Sequence, residues 1–252
     1  KIYQMPINLE TINSLYKKNL NPLEARKLMD FEAKRFKKYL VKNFENKAKS
    51  QIGEKLYNAF IKGYTLKQWG KSPKLLPESI FNRLPIRFNY NEDYYSQLQY
   101  QGIPLNGYTG IFKNLLDKKN IKILLNEKYN LDYKIKPRYA TIYTGPLDAL
   151  VKFNLGKLEW RSLKFKKEYY NLEDFQGSAV INYPDLKDKF TRIHEPKHLH
   201  PEIKVYSKNK TFIIKEFSII DDKNPYYPIN DVKNREVHRK YKEIASKIKS
   251  FY

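Results

Sequence analysis

The chain has 252 residues, 41% of them apolar and 15% aromatic, with a formal net charge of +22 and no cysteine. Such a length and apolar content are enough for one or two buried cores and exclude a mainly disordered chain, while the absence of cysteine excludes a disulfide framework and a thiolate metal site. No run approaches the roughly 18 consecutive apolar residues a membrane span requires, and the opening KIYQMPINLE has no apolar signal core, so a cytoplasmic setting is expected.

The first clear element begins at Asn21-Pro22-Leu23-Glu24, which reads as a helix start: Asn as cap, Pro in the first turn, Glu three residues after the cap. Met29, Ala33, Phe36 and Leu40 then recur at helical spacing, opposite a face of lysines such as Lys34, Lys37 and Lys42. A second helix is expected from about Ser50 to Ile61, with Ile52, Leu56 and Phe60 inward and Gly63 placed to end it. Tyr108 to Lys118 reads as another helix, with Ile111, Leu115 and Leu116 inward. Then the period changes. Ile121–Leu125 and Tyr139–Thr144 read as short strands, followed by strands over Leu158–Phe165, Ala179–Tyr183, Thr191–Glu195 and Thr211–Phe217. Asn230 can cap a last helix over Asp231–Ser250, with Val237, Ile244 and Ile248 on its apolar side. Helices first and strands second predict an α+β fold, a helical part followed by a mainly antiparallel sheet.

Residues 60–110 concentrate the groups that suit a nucleotide. Aromatic rings (Phe60, Tyr64, Trp69, Tyr94) alternate with cations (Lys67, Arg83, Arg87) among glycines. Rings offer stacking faces for a base, and guanidinium forks match phosphate oxygens two at a time; a helical core with basic loops would read the same way on composition alone. The charge also suits nucleic acid, but its lysines are spread over helix faces, so none is expected as a partner. His194, His198 and His200 beside Glu195 have the ligand types of a zinc site. Their spacing matches no recognised pattern, and Pro196 and Pro201 interrupt any helix, so no metal is expected.

The order of motifs narrows this. G-Y-T-x-K-Q-W-G at Gly63–Gly70, R-x-P-x-R at Arg83–Arg87 and Y-Q-G-I-P-x-x-G-Y-T at Tyr100–Thr109 are followed by Y-T-G-P-x-D at Tyr143–Asp148 and R-S-L-x-F at Arg161–Phe165. Q-G-x-A-V-I-N-Y at Gln176–Tyr183, T-R-I at Thr191–Ile193 and P-Y-Y-P-x-N at Pro225–Asn230 complete the series. The series resembles the UDP-galactopyranose mutases, flavoenzymes that interconvert the pyranose and furanose forms of UDP-galactose through an adduct of the sugar on reduced FAD. By motif position the resemblance implies Arg83 and Arg192 as the catalytic, phosphate-binding arginines. It implies Phe60, Tyr64, Thr65 and Trp69 at the uridine, and Tyr94, Asn182, Tyr226 and Tyr227 as polar contacts to phosphate or sugar. Arg161 fits a substrate contact or a structural pair within the sheet, and Gly145 and Pro146 are expected beside the flavin.

In domain terms the resemblance implies a helical uridine-binding part over 1–118 with a mobile loop at 71–85. Two strands of an FAD-binding domain follow at 119–149, then an antiparallel sheet domain at 150–225. Residues 226–252 supply a Tyr-Tyr substrate segment and a helix returning to the FAD-binding domain. None of the nine glycines forms G-x-G-x-x-G, so the family's dinucleotide turn is not in this sequence and a piece of a larger flavin-binding architecture is expected. A homodimer or complementing chain is the expected partner. The alternative function is a UDP-sugar-binding remnant without catalysis.

Overall fold

The computed structural model describes every residue except 38–39, 96–99, 106, 135–136, 203–208 and 222. Chain contacts divide it into two units: residues 1–101 with 161–227, and residues 102–160 with 228–252.

The first unit opens on α1 (Leu9–Tyr16), where the Asn8 side chain accepts from the Thr11 amide and Thr11 Oγ1 accepts from the Asn8 amide. α2 (Pro22–Lys37) starts as its sequence predicts: Asn21 Oδ1 accepts from the amides of Leu23 and Glu24, and Glu24 Oε2 accepts from the Asn21 amide. Met29 and Ala33 are buried along its stripe, whereas Leu40 is exposed. α3 (Phe44–Leu56) packs against α2 and buries Phe44, Ala48, Ile52 and Leu56, all core residues. Gly53 takes φ +70° inside it, a left-handed position that also brings its Cα face against Glu32, where a Cβ would collide.

The helix does not end at Gly63. It passes through a π-turn (Tyr57–Ile61) into α4 (Lys62–Trp69), and Gly70, at φ +62°, is the residue that stops it by returning its N–H to the Leu66 carbonyl. Gly63 is glycine for a different reason: a Cβ there would meet the Pro184 carbonyl oxygen. Consequently Phe60, Tyr64 and Trp69 lie within helical turns rather than beyond a helix end. The 71–85 segment forms two 3-10 turns, Pro73–Leu75 and Glu78–Arg83, and buries Leu76 and Phe81 in the helical core.

The sheet of this unit has the order β2-β3-β4-β1-β5. Its strands are β1 (Trp160–Tyr170), β2 (Val180–Asn182), β3 (Arg192–His194), β4 (Thr211–Ile219) and β5 (Tyr227–Pro228). The β1–β4, β2–β3 and β3–β4 pairs are antiparallel. The fold is α+β.

In the second unit α5 (Gly107–Leu116), α6 (Leu147–Leu150) and α7 (Val232–Ser246) are helical. Here the sequence reading needs three corrections. Ile111, Leu115 and Leu116 on α5 are exposed, because no described residue packs over that stripe closely enough to bury it. Ile121–Leu125 and Tyr139–Thr144 are not strands: a strand needs a partner to satisfy its amides, and the only pairing here is a single bridge between Thr141 and Phe251 among the described residues. The cap of α7 is Asp231, whose carboxylate accepts from the Asn234 amide. Tyr241 on α7 is buried and its hydroxyl accepts from the Leu155 amide and donates to the Gly156 carbonyl, while Asp148 holds the amides of Ala149 and Leu158.

Candidate functional site

Antiparallel register sets one row of side chains across three strands. Asn182 on β2 pairs with Arg192 on β3, and Arg192 pairs with Glu216 on β4. Residues directly opposite in register share a face, so the three form one polar rung. Glu216 is 3% exposed. Its carboxylate lies 3.2 Å from Arg192 Nε and 3.1 Å from His194 Nε2, and it accepts from Thr191 Oγ1 at 3.3 Å. Burial alone would raise the pKa of this carboxyl; His194 and Arg192 outweigh it and hold it below its ordinary value.

Helix α4 brings Tyr64 to the same rung. Arg192 Nη2 donates to the Tyr64 hydroxyl. Burial pushes the Tyr64 phenol up, against the opposing pull of Arg192. For Arg192, burial works to lower the pKa, but Tyr64 and Glu216 prevail and the guanidinium is held more firmly protonated than usual. Tyr227 contributes to the field felt by both Tyr64 and Arg192, and its ring lies 6.3 Å from that of Trp69. The arrangement is a fixed cation clamped between a phenol and a buried carboxylate, beside aromatic rings.

The other residues singled out in the sequence fall around this rung or apart from it. Thr65 is buried on α4. Phe60 packs edge to face on Tyr3 at 5.0 Å, against the helical core. Arg161 is buried and its guanidinium is engaged by the protein, Nε donating to Ser218 Oγ at 3.0 Å and to the Gln68 carbonyl at 3.3 Å, and Nη2 to the Ser218 carbonyl at 3.0 Å. These bonds clamp β4 to the end of α4. Tyr226 is half exposed, with Phe165 at 6.4 Å. Tyr94 is also half exposed, its ring 5.0 Å from Tyr95 and its carbonyl accepting from Arg87 Nη2. Arg83 closes the second 3-10 turn; its side chain lies outside what the structure describes. Gly145 and Pro146 belong to the second unit, where the Tyr143 ring covers the Cα of Gly145 and its hydroxyl donates to the Pro146 carbonyl at 3.0 Å.

The histidines separate. His194 joins the rung, and His200 pairs with Glu202 at 3.0 Å. His198, Asp174 and Glu195 converge, with one ligand atom of each within 4.8 Å of the others. The buried Glu195 carboxylate already accepts from the amides of Phe175 and Gln176 and from Thr211 Oγ1, which makes it a staple between the 174–177 turn and β4.

Two residues of weight, Glu216 and Gln68, escaped the sequence reading of the site, and a third, Lys67, was noted there only as one of its cations. Glu216 sits in a strand whose neighbours look unremarkable. Gln68, on α4, is 6% exposed, and neither its Oε1 nor its Nε2 has a hydrogen-bond partner among the described residues. Lys67, beside it, directs its ammonium at backbone carbonyls. For Gln68 the one available signal was its place inside the G-Y-T-x-K-Q-W-G block.

Comparison with known proteins gives a consistent set. A family model described as UDP-galactopyranose mutase matches residues 59–252. A dTDP-fucopyranose mutase of Escherichia coli is 38% identical over 253 residues, covering 97% of this chain and 66% of that protein. A probable UDP-galactopyranose mutase of Klebsiella pneumoniae is 38% identical over 254 residues, covering 99% and 64%. The chain thus spans about two-thirds of the length of these relatives. A crystal structure of reduced UDP-galactopyranose mutase superposes with a TM-score of 0.54 at 16% identity, covering 80% of this chain and 53% of that one, which shows a shared fold.

Proposed function

From the membership of this chain in the UDP-galactopyranose mutase family, we propose that its first unit binds a pyrimidine nucleotide sugar for pyranose–furanose interconversion, with UDP-galactose as the substrate. The observation that carries the reading is the Arg192 guanidinium, clamped by Glu216 and Tyr64 on the rung it shares with Asn182. Interchanging the two ring forms requires the bond between the anomeric carbon and the diphosphate to break and re-form. Negative charge grows on the diphosphate as that bond lengthens, and a cation already held in place stabilises it without reorganising. In this reading Arg192 and Arg83 are the catalytic cations. Tyr64 and Trp69 offer faces to the base, with Phe60 and Thr65 shaping that end. Asn182, Tyr94, Tyr226 and Tyr227 give polar contacts to phosphate and sugar, and Arg161 supports them from beneath.

The finer chemistry implied by the family resemblance is an adduct of the sugar on reduced FAD, which would supply the nucleophile. Gly145 and Pro146 are the residues expected beside that cofactor, and the Tyr143 ring packs on the Cα face of Gly145. Flavin binding at Gly145 and Pro146 rests on the resemblance alone. A cytoplasmic setting and a homodimer or complementing chain belong to the same proposal and rest on the resemblance.

A second reading comes from the dTDP-fucopyranose mutase among the relatives: the nucleotide is dTDP, and the sugar a fucose. Titration of the chain with UDP, dTDP and uridine, followed by tryptophan emission, tests both, since Trp69 is one of two tryptophans. Binding of UDP in preference to dTDP supports the first reading, the reverse order the second. Tyr64→Ala is expected to weaken nucleotide binding by about 1–3 kcal/mol through the lost stacking face. Arg192→Ala is expected to weaken UDP far more than uridine, while Arg87→Ala, whose guanidinium is spent on Asn91 and the Tyr94 carbonyl, changes neither. A folded chain that binds no pyrimidine diphosphate overturns the proposal.

A further inference from the structure

Lys67 lies one turn after Gly63 on α4, facing the segment that joins β2 to β3. Its Nζ is 2.5–3.0 Å from four backbone carbonyl oxygens, those of Tyr183, Asp185, Asp188 and Phe190. Lysine ordinarily carries its ammonium to water on a flexible stem. Here the ammonium lies among main-chain oxygens that point at one another, much as a dehydrated monovalent cation is held by a ring of carbonyl dipoles. Without a cation between them, those four dipoles would repel, and of the four the Asp185 oxygen also accepts from the Asp188 amide at 3.3 Å.

The rest of the segment is built around this point. Its ends are joined by the Tyr183 amide donating to the Thr191 carbonyl at 2.9 Å and by the Tyr183 and Phe190 rings, edge to face at 4.8 Å. Gly63 has an ordinary helical backbone, so its lack of a Cβ serves the close approach of the Pro184 carbonyl to α4. Gly63 and Lys67 are four residues apart and therefore on one helix face: one lets the segment approach, the other holds it. Burial lowers the Lys67 pKa, with the carboxylates of Asp188 and Asp185 opposing the shift.

We infer that Lys67 acts as a tethered monovalent cation, its ammonium filling a four-carbonyl cage that locks residues 183–190 onto α4 and so positions Asn182 and Arg192, which flank the segment, opposite Tyr64. Lys67 is then a positioning residue rather than a ligand to phosphate, since its N–H groups are spent on the protein.

Two variants separate the charge from the stem. Lys67→Met keeps the packing of the stem and removes the cation; Lys67→Ala deletes the atoms that n-propylammonium can replace. Hydrogen exchange of the 183–190 amides, read by mass spectrometry, is expected to quicken about tenfold or more in Lys67→Met, while the α2–α3 amides keep their rates. In Lys67→Ala the same loss of protection is expected, with recovery in n-propylammonium and none in tetramethylammonium at equal concentration, which has no N–H to donate. Should Lys67→Ala fail to fold, its refolding yield in the two cations makes the same comparison. Unchanged exchange in Lys67→Met, or a Lys67→Ala chain indifferent to which cation is added, overturns the cage. UDP titration forms a second arm, which rests on the nucleotide-sugar reading: affinity is expected to fall in Lys67→Met and to return with n-propylammonium in Lys67→Ala. If the unaltered chain binds no UDP, that reading falls and exchange alone decides the cage. If it binds UDP and Lys67→Met binds it equally well, the positioning role is overturned.

Discussion

A single side chain amide poses the sharpest energetic question in this molecule. Gln68 is buried with both polar atoms unpartnered among the described residues, and each such atom costs roughly 1–3 kcal/mol relative to a satisfied one. On the nucleotide-sugar reading proposed above, a residue between Tyr64 and Trp69 on one helix would offer its amide to a donor-and-acceptor edge such as a pyrimidine carries. Gln68→Met keeps the volume and removes the cost. Its thermal midpoint is expected to rise and its affinity for UDP to fall, opposite signs that scanning calorimetry and titration read independently. A midpoint that falls together with affinity would show that the amide is satisfied within the protein. At this scale the sequence was informative where a residue is named by a motif: Tyr64, Asn182, Arg192 and Tyr227 do come to one neighbourhood. Glu216 was not legible, because its role depends on which residue lies across the ladder, and register is a long-range property.

At the scale of elements, local signals were readable and long-range ones were not. The capping box at Asn21 and Glu24 is satisfied by residues three apart, so the sequence contains the whole device. Strands β1 to β4 follow from apolar, β-rich runs that find partners; Ile121–Leu125 has the same composition and no strand partner among the described residues, and is irregular. The β1–β4 ladder makes a prediction about acid. Glu168 accepts from Lys215 at 2.8 Å, Lys166 lies 2.9 Å away, and Tyr170 donates at 2.9 Å. The Lys215, Lys166 and Tyr170 hydrogen bonds together bring its pKa from an ordinary 4.5 to about 2. A carboxyl depressed on folding contributes stability above its unfolded pKa and loses it as pH falls through the folded one. The urea midpoint is therefore expected to drop between pH 4.5 and pH 2 by less in Glu168→Gln than in the unaltered chain, a modest difference because the group is partly exposed and screened. Equal drops would remove Glu168 from the account. The π-turn was invisible in the sequence, yet it sets the phase of α4. Each residue in an α-helix advances the face by about 100°, and a π-turn is a one-residue insertion in that count. Deleting Ala59 is expected to close this turn to α geometry and keep Tyr64 and Lys67 on the sheet with UDP-dependent quenching retained, whereas inserting one alanine after Lys62, in regular helix, is expected to rotate both off the sheet and abolish the quenching, with helicity by circular dichroism nearly intact.

At the scale of the whole molecule, hydrophobic periodicity alone does not say which segments group together. The sequence divides naturally into helices before residue 119 and strands after it, but the helical core and the sheet belong to one unit, and the segment between them joins the C-terminal helix in another. Chain order says little about which distant segments pair, since that depends on apolar faces finding one another. In the second unit many have not been buried: Tyr108, Phe112, Leu115, Leu125 and Ile142 are each at least 60% exposed. On the same chain there is a net charge of +22. Together these make the chain behave as a charged colloid with adhesive patches. Mutual repulsion keeps the particles apart at low ionic strength, where the screening length is about 30 Å, and fails near 1 M salt, where it is about 3 Å. Light scattering is expected to report separated particles in dilute buffer and steady growth as sodium chloride is added, with Leu115→Lys and Phe112→Glu delaying the onset. The surfaces that this chain leaves open would then set its shelf life in solution long before its folding stability does.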